Sequence, residues 1–445
     1  MIGKVFGLSA FVPALFAAET LSLPDAVTMA MKKHPWIEAV QAERRAAGHR
    51  VQQARSGLLP RVNYSESYQV GNNPVFAFST LLSQRRFTAS DFDIGRLNHP
   101  DPANNFQSQL TVDQVIYDAK QTKLNSQSAI LRQNMTSEQE RRARMQIAAG
   151  VVQAYFGAVL AAAGLNVAKE AVKSAEANLY KAEAVRTAGL STDAAVLSIR
   201  VHLAAVRERE IRRTYDVDVA RAALTESMGV TPGSDYALST ALAEIGCIGP
   251  ALDELQKQAE SGRPEIRQAK LATDLAETQS ATAKSAMLPQ IGARATIEAD
   301  REKFVTGGSG NWFFAATLKW NLFNGHVDKE RIAEAAEGMA GARAQARQAS
   351  SAVRLETHRA YANWKGACER IKVAKEATGM SAESLRITKN RYEAGLTTVT
   401  DLLQQETAHL EAQTRLLAAI HDQRVAAAEM ELAAGTLTGD SDVLK

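Results

Sequence analysis

The sequence has little of what marks enzymes and nucleic-acid binders. Among 445 residues there are two cysteines and eleven prolines, and 52 lysines plus arginines nearly balance 49 acidic residues, for a net charge of +3. So small an excess excludes a long-range basic field, and no basic patch is interleaved with aromatics, so nucleic acid is not expected as a partner. Phosphate-binding glycine loops, the dinucleotide glycine fingerprint and the HExxH pattern are absent. Two cysteines could pair in an oxidising compartment but cannot form a disulfide framework, and the favoured reading takes Cys247 and Cys368 each as a small buried apolar residue. The histidines, His34, His49, His99, His202, His326, His358, His409 and His421, never pair at ligand spacing. Glu406 with His409 reads as a neighbour pair on a helix surface. No catalytic residue, cofactor or metal site is expected.

Long apolar runs are also missing beyond the N-terminus, so no helical membrane span is expected. The nearest candidate is IAAGVVQAYFGAVLAAAG, Ile147 to Gly164. The first 18 residues differ. Lys4, an apolar stretch from Val5 to Phe16, then Ala17 and Ala18 read as a cleaved secretory signal, with Pro13 arguing against a buried helix. Neither cysteine sits at its end, so lipid acylation is not expected.

What the sequence does have is a duplication. Pro35 aligns with Pro264, and Leu59-Pro60 with Leu288-Pro289, at an offset of 229 (264 minus 35). Beyond these the offset is 206: Tyr117-Asp118 matches Phe323-Asn324, Tyr155 matches Tyr361, Gly189-Leu190 matches Gly395-Leu396, and Gly229 matches Gly435. The 23 residues of difference fall in VGNNPVFAFSTLLSQRRFTASDFDIGRLNHPDPANN, which reads as a long loop. A period this long indicates a duplicated half rather than a solenoid. The expected division is 1–18 signal, 19–230 first repeat, 231–250 connector, 251–436 second repeat and 437–445 tail.

Within each copy, proline marks where helices cannot run, and Ala103–Thr231 and Gln290–Lys445 contain none. These windows are rich in Ala, Leu, Gln, Glu, Lys and Arg, which lose least on entering a helix. An unbroken helix over Asp118–Thr187 would run about 100 Å at 1.5 Å per residue. Such a rod needs an apolar stripe laid on other helices. Leu403, Leu410 and Leu417 supply one at heptad spacing, repeated as Leu197, Ala204 and Ile211 in the first copy.

After Pro60 the period becomes two. Val62, Tyr64, Tyr68 and Val70 share a face that only Glu66 interrupts. Phe106, Leu110, Val112 and Ile116 suggest a second strand, 291–299 a third, and 312–323 a fourth with Trp312, Phe314, Leu318, Trp320 and Leu322 on one face. Strands of about ten residues are long enough to cross a bilayer at a tilt. Four cannot close a barrel, and open edges in lipid would strand backbone polar groups, so subunits must share one; two or three chains both satisfy this.

Together, the duplicated order of helix, strand pair and helical hairpin, the signal, LLPRV and MLPQI before the strands, and the turns AGLSTDAAVL and AGLTTVTDLL resemble the TolC family of outer-membrane efflux channels. The resemblance implies a mixed α and β fold: an antiparallel coiled-coil tunnel crossing the periplasm and a transmembrane β-barrel of twelve strands, four from each chain of a homotrimer. It further implies contact with outer-membrane lipid of a Gram-negative cell, a periplasmic adaptor (membrane fusion protein) and an inner-membrane pump. Hairpin tips that meet the adaptor map to Gly189, Leu190, Ser191, Thr192, Gly395, Leu396, Thr397 and Thr398. The pore constriction maps to Asp401, Gln404 and Tyr392, an amide standing where a second acid often lies. The family's latch positions are Ala195 and Thr397 here, leaving Asp193 or Arg391 as candidates to hold the resting pore. The alternative reading is a periplasmic coiled-coil scaffold or adaptor without a barrel.

Overall fold

A computed structural model describes residues 19–189, 191–231, 236–305 and 307–444, without the side chains of Glu19 and Asp442. The expected signal, Leu190, and residues 232–235 of the connector therefore lie outside the described residues. The chain divides into two compact units: one holds residues up to Ala42, Glu138–Arg267 and Gln348 onward, the other Glu43–Ser137 and Gln268–Arg347.

In the first unit, β1 (Glu19–Leu21) pairs in parallel with β4 (Tyr236–Leu238), two short strands the sequence pattern did not suggest. Helix α1 (Leu23–Lys33), which α2 (Pro35–Arg55) follows, starts where Ser22 accepts from the Asp25 amide, and it buries Leu23, Ala26, Val27 and Ala30. These meet Val151, Val152, Tyr155 and Phe156 of α5 (Gln121–Thr187), all fully buried. The apolar stretch of α5 is long enough to cross a membrane by length and composition, but this packing gives its apolar face a protein partner. Leu437 and Leu444 of the C-terminal segment join the same core.

Helix α6 (Asp193–Ser227) returns along α5, and α7 (Leu252–Gly262) and α8 (Pro264–Ser285) precede the second pair, α9 (Val327–Glu393) and α10 (Val399–Ala434). Both α5 and α9 have 67 residues and begin 206 positions apart. Each follows two residues of positive φ, Ala119 and Lys120 in one copy, Gly325 and His326 in the other, which re-aim the chain from strand to helix.

The cysteines correct the sequence reading. Cys247 and Cys368 form a disulfide across 121 residues. The segment after β4 lies along the second helical pair: Gln423, 1 % exposed, both donates to and accepts from the Ile245 backbone, and Arg424 Nε donates to Ala243 O at 2.8 Å. A covalent tie on a loop with so little regular structure holds a register that its backbone alone does not.

In the second unit, β2 (Arg61–Gly71), β3 (Ala103–Tyr117), β5 (Gln290–Arg301) and β6 (Ser309–Lys319) form an antiparallel sheet in the order β2-β3-β5-β6. Residues directly opposite share a face, so register separates the two faces. One carries the rows Tyr64-Leu110-Ile297-Trp312 and Val62-Val112-Ala295-Phe314; the other carries Ser65-Gln109-Glu298-Asn311 and Arg61-Asp113-Arg294-Ala315. The apolar rows are exposed, Trp312 at 80 % and Tyr64 at 67 %. Glu66, the exception on that face, is met by Tyr64, Ser108 and Arg301.

Three expectations need correction here. The fourth strand stops at Lys319, so Trp320 and Leu322 follow it. A register shift between Val115 and Tyr117 leaves Ile116 out of the ladder. The segment expected as a long loop holds α3 (Pro74–Ser83), a 3-10 turn at Ala89–Phe92 and α4 (Ile94–Asn98), started by Asn73 and Asp93 side chains that accept backbone N–H bonds. Its Asn, Asp and Ser residues are caps, the other use of the same side-chain chemistry.

Candidate functional site

The two hairpin turns are built alike. Gly189 (φ 75°) and Gly395 (φ 72°) end α5 and α9 in the left-handed region, where a Cβ would be strained. Gly189 N–H donates to Arg186 O at 2.8 Å, and Gly395 N–H to Tyr392 O at 3.0 Å. Thr192 and Thr398 then cap α6 and α10, accepting from the amides of Ala195 and Asp401. Leu396 projects from its turn 68 % exposed, with Ser191 and Thr397 half-buried beside the caps.

A reciprocal cap is present in only the second of the two turns. Asp401 accepts from Thr397 Oγ1 (2.8 Å), Thr398 Oγ1 (2.7 Å) and Thr398 N (3.1 Å), completing a reciprocal cap whose counterpart position is Ala195. The Thr398 hydroxyl first, then that of Thr397 and the Thr398 amide, with Arg391 adding a smaller pull, hold this carboxyl below the ordinary aspartate range. Asp401 thus starts α10 and remains exposed and charged. Gln404 is exposed one turn further along, and Tyr392 is half-buried, its phenol pushed up by burial. Asp193 pairs with Arg186 at 3.1 Å within its own turn.

Two to three turns away lies a group that the sequence reading took for a surface pair. Glu406 is 10 % exposed and accepts from Asn178 Nδ2 at 2.6 Å and Ser174 Oγ at 3.2 Å of α5, with His202 Nε2 of α6 at 3.4 Å. His409 turns elsewhere, its Nδ1 3.0 Å from Ser381 Oγ. The hub joins the first hairpin to the second, beside Leu403, which packs against Ala182, Val196 and Ile199. The offset of 206 carried a signal for it: the counterpart of Glu406 is Arg200, which instead pairs with Glu183 at 2.7 Å.

The heptad seam also splits. Leu410 is buried and Leu403 and Leu417 half-buried, whereas their counterparts Leu197, Ala204 and Ile211 are exposed, Leu197 at 57 % and Ile211 at 60 %. On α9, Met380 and Ile387 are exposed at 70 % and 46 %; their counterparts Ser174 and Lys181 face the second hairpin, at Glu406 and Glu393.

Comparison with known proteins fits this geometry. The outer membrane efflux protein family matches residues 26–230 and 255–436. The outer membrane lipoprotein SilC of Salmonella typhimurium is 26 % identical over 215 residues, 47 % of this chain and 46 % of its own length, so the match spans about half of that relative. A membrane protein of Pseudomonas aeruginosa superposes with a TM-score of 0.79 at 19 % identity over 96 % of this chain and 99 % of its own. The CmeC outer membrane channel of Campylobacter jejuni gives 0.79 at 16 % identity, over 99 % and 96 %. The fold is thus that of channels combining a helical tunnel with a β-barrel, and the chain belongs to the outer membrane efflux protein family, a family of transport channels.

Proposed function

We propose that this chain is one subunit of an outer-membrane export channel in which three copies complete both a twelve-stranded barrel and a helical tunnel. The observation that carries the reading is the seam that is covered in one hairpin and bare in the other. In the second copy Leu403 packs on Ala182, Val196 and Ile199 of the chain's own first hairpin, and Leu410 is buried. Their counterparts Leu197 and Ala204 are exposed, and the matching face of α9 presents Met380 and Ile387, also exposed. Setting α9 of one copy on α6 of the next repeats the internal contact across chains and buries both stripes. The sheet asks for the same: its edge strands β2 and β6 pair on one side each, and its apolar face suits lipid only when those edges are joined.

Within the trimer the eight tip residues, Gly189 to Thr192 and Gly395 to Thr398, meet a periplasmic adaptor that links the channel to an inner-membrane pump. Three copies of Asp401, with Tyr392 and Gln404, ring the narrowest point, where fixed carboxylates favour cations. Cargo is small molecules or proteins.

The mature chain purified in detergent should run as a trimer and give ion-conducting steps in planar bilayers. A monomer soluble without detergent would favour the scaffold reading instead. Asp401→Ala should reduce cation preference and cation block; unchanged selectivity would remove the constriction assignment. An epitope placed at Asn98 should be reachable by antibody on intact cells, and a signal only after permeabilisation would reverse the orientation.

A further inference from the structure

The polar face of the sheet changes charge along its length. From the end where the helices join, register puts on it Lys319 of β6, then Arg61, Asp113 and Arg294 in one row across β2, β3 and β5. Further out on β5 the same face carries Glu298 and Asp300. The helix-side end therefore sets three cations against one carboxylate. Arg294 donates through Nε to Asp113 Oδ1 at 2.6 Å, and its side chain is still 60 % exposed. Arg61 and Lys319 are exposed, and neither has an ion-pair partner among the described residues.

The row of arginines borders an open-sided hollow of about 580 Å³. Gly292, Ala315 and Thr317 supply small side chains at its floor, while Arg61, Arg294 and Phe313 stand around it. Phe313, one row outward on β6, is 61 % exposed on this otherwise polar face. A cross-strand pair made only for stability would give each arginine its own acid, and a ring made only for packing would be covered. Here a guanidinium keeps one edge uncommitted, a second has no acid, and an aromatic face lies bare beside them. The flat fork of N–H donors on an arginine matches a carboxylate, and an aromatic face takes another ring stacked on it.

We infer that this hollow is a binding station for an aromatic carboxylate passing through the channel, with the carboxylate held by Arg61 and the free edge of Arg294 and the ring laid on Phe313. It rests on the channel reading above, in which the polar face lines the lumen, and it names a charge and shape of cargo that the barrel favours. Three copies set six arginines against three aspartates around one lumen, whose low-dielectric walls strengthen the attraction. Glu298 and Asp300 repel the same anion further out, so binding is confined to the helix-side end. A site open to the lumen holds its ligand weakly enough to release it, as a conduit requires.

Isothermal titration of the detergent-solubilised wild-type protein with benzoate, beside single-channel recording of the same preparation, tests the station. One benzoate should bind per chain, and benzamide, its neutral counterpart, roughly ten-fold more weakly. Arg61→Gln, at an exposed position with no ion pair to break, should weaken benzoate roughly ten-fold and relieve its block of the current. Phe313→Ala should weaken it about three-fold. Asp113→Asn should tighten benzoate binding, a gain that damage to the sheet does not produce. Equal affinities for benzoate and benzamide, or wild-type affinity in Arg61→Gln with no gain in Asp113→Asn, overturns the station. Channels that conduct normally and bind no benzoate overturn the station alone, whereas a protein that forms no channel overturns the lumen reading beneath it.

Discussion

The two helical hairpins are near copies in length and turn chemistry, yet they differ in what their outer faces meet. On α10, Leu403, Glu406 and Leu410 are satisfied inside the chain: Leu403 packs on apolar residues of the first hairpin, Leu410 is buried, and Asn178, Ser174 and His202 take the carboxylate. On α6 the same positions are Leu197, Arg200 and Ala204, all exposed. The contrast teaches that duplication kept the shape of the contact while the wiring diverged. The internal contact acquired a polar hub that fixes one register. In the proposed trimer the exposed stripe of Leu197, Ala204 and Ile211 would instead face Met380 and Ile387 of a neighbouring chain.

Introducing charge into the exposed seam should break this contrast most severely. Leu197→Asp with Ile211→Asp should abolish the trimer in detergent, because each side chain forgoes burial worth about 1.5–3 kcal/mol at every interface. Light scattering after size exclusion reads the result, and a persisting trimer would show that the seam is not an interface. Next in size is the disulfide, which ties the connector to the second hairpin only, since the counterpart of Cys368 is Ala162. Replacing Cys247 and Cys368 by serine should cost about 2–4 kcal/mol, seen as a lower melting temperature that no longer responds to reductant.

A sharper test compares Glu406→Ala with Arg200→Ala. Loss of Glu406 leaves Asn178 and His202 facing a buried gap and should cost about 1–3 kcal/mol. Loss of Arg200, whose ion pair with Glu183 is solvent-exposed, should cost less than about 1 kcal/mol. Equal melting temperatures would mean that the hub has no special standing.

The smallest effect concerns the caps. Asp401 has its carboxyl held below the ordinary value of about 3.9. Its contribution is therefore fully present above that value and fades as pH falls through the lower folded-state value. Amide exchange at the start of α10 should stay slow from neutral pH down to about 4 and then quicken. Asp401→Asn should remove the dependence, and the start of α6, with Ala195 in that position, should lack this transition throughout.

Most of the fold could be read from the residues because the two copies kept a constant offset over long stretches, so weak signals at Gly189 and Gly395, or at Leu59-Pro60 and Leu288-Pro289, reinforced each other. Features present in one copy only had no such support. Cys247 gave no hint of Cys368, since pairing depends on how an irregular connector lies across a helix. The helix at Pro74–Ser83 was hidden because Asn73 signals a turn and a cap equally well. Glu406 was judged by its nearest helical neighbour, His409, while its true partners lie more than 200 residues away, on α5 and α6. An acid in one copy facing a base in the other at the same offset was the clue left unused.

The equal length of α5 and α9 constrains how this gene can change. One residue inserted into either helix would turn everything downstream by about 100° and advance it 1.5 Å, swinging Ser174 or Met380 off its seam and mismatching the hairpin against its twin. Additions to these helices are therefore tolerable only in whole heptads and in both copies at once. The β2–β3 excursion, with no twin to match, is where the chain was free to grow.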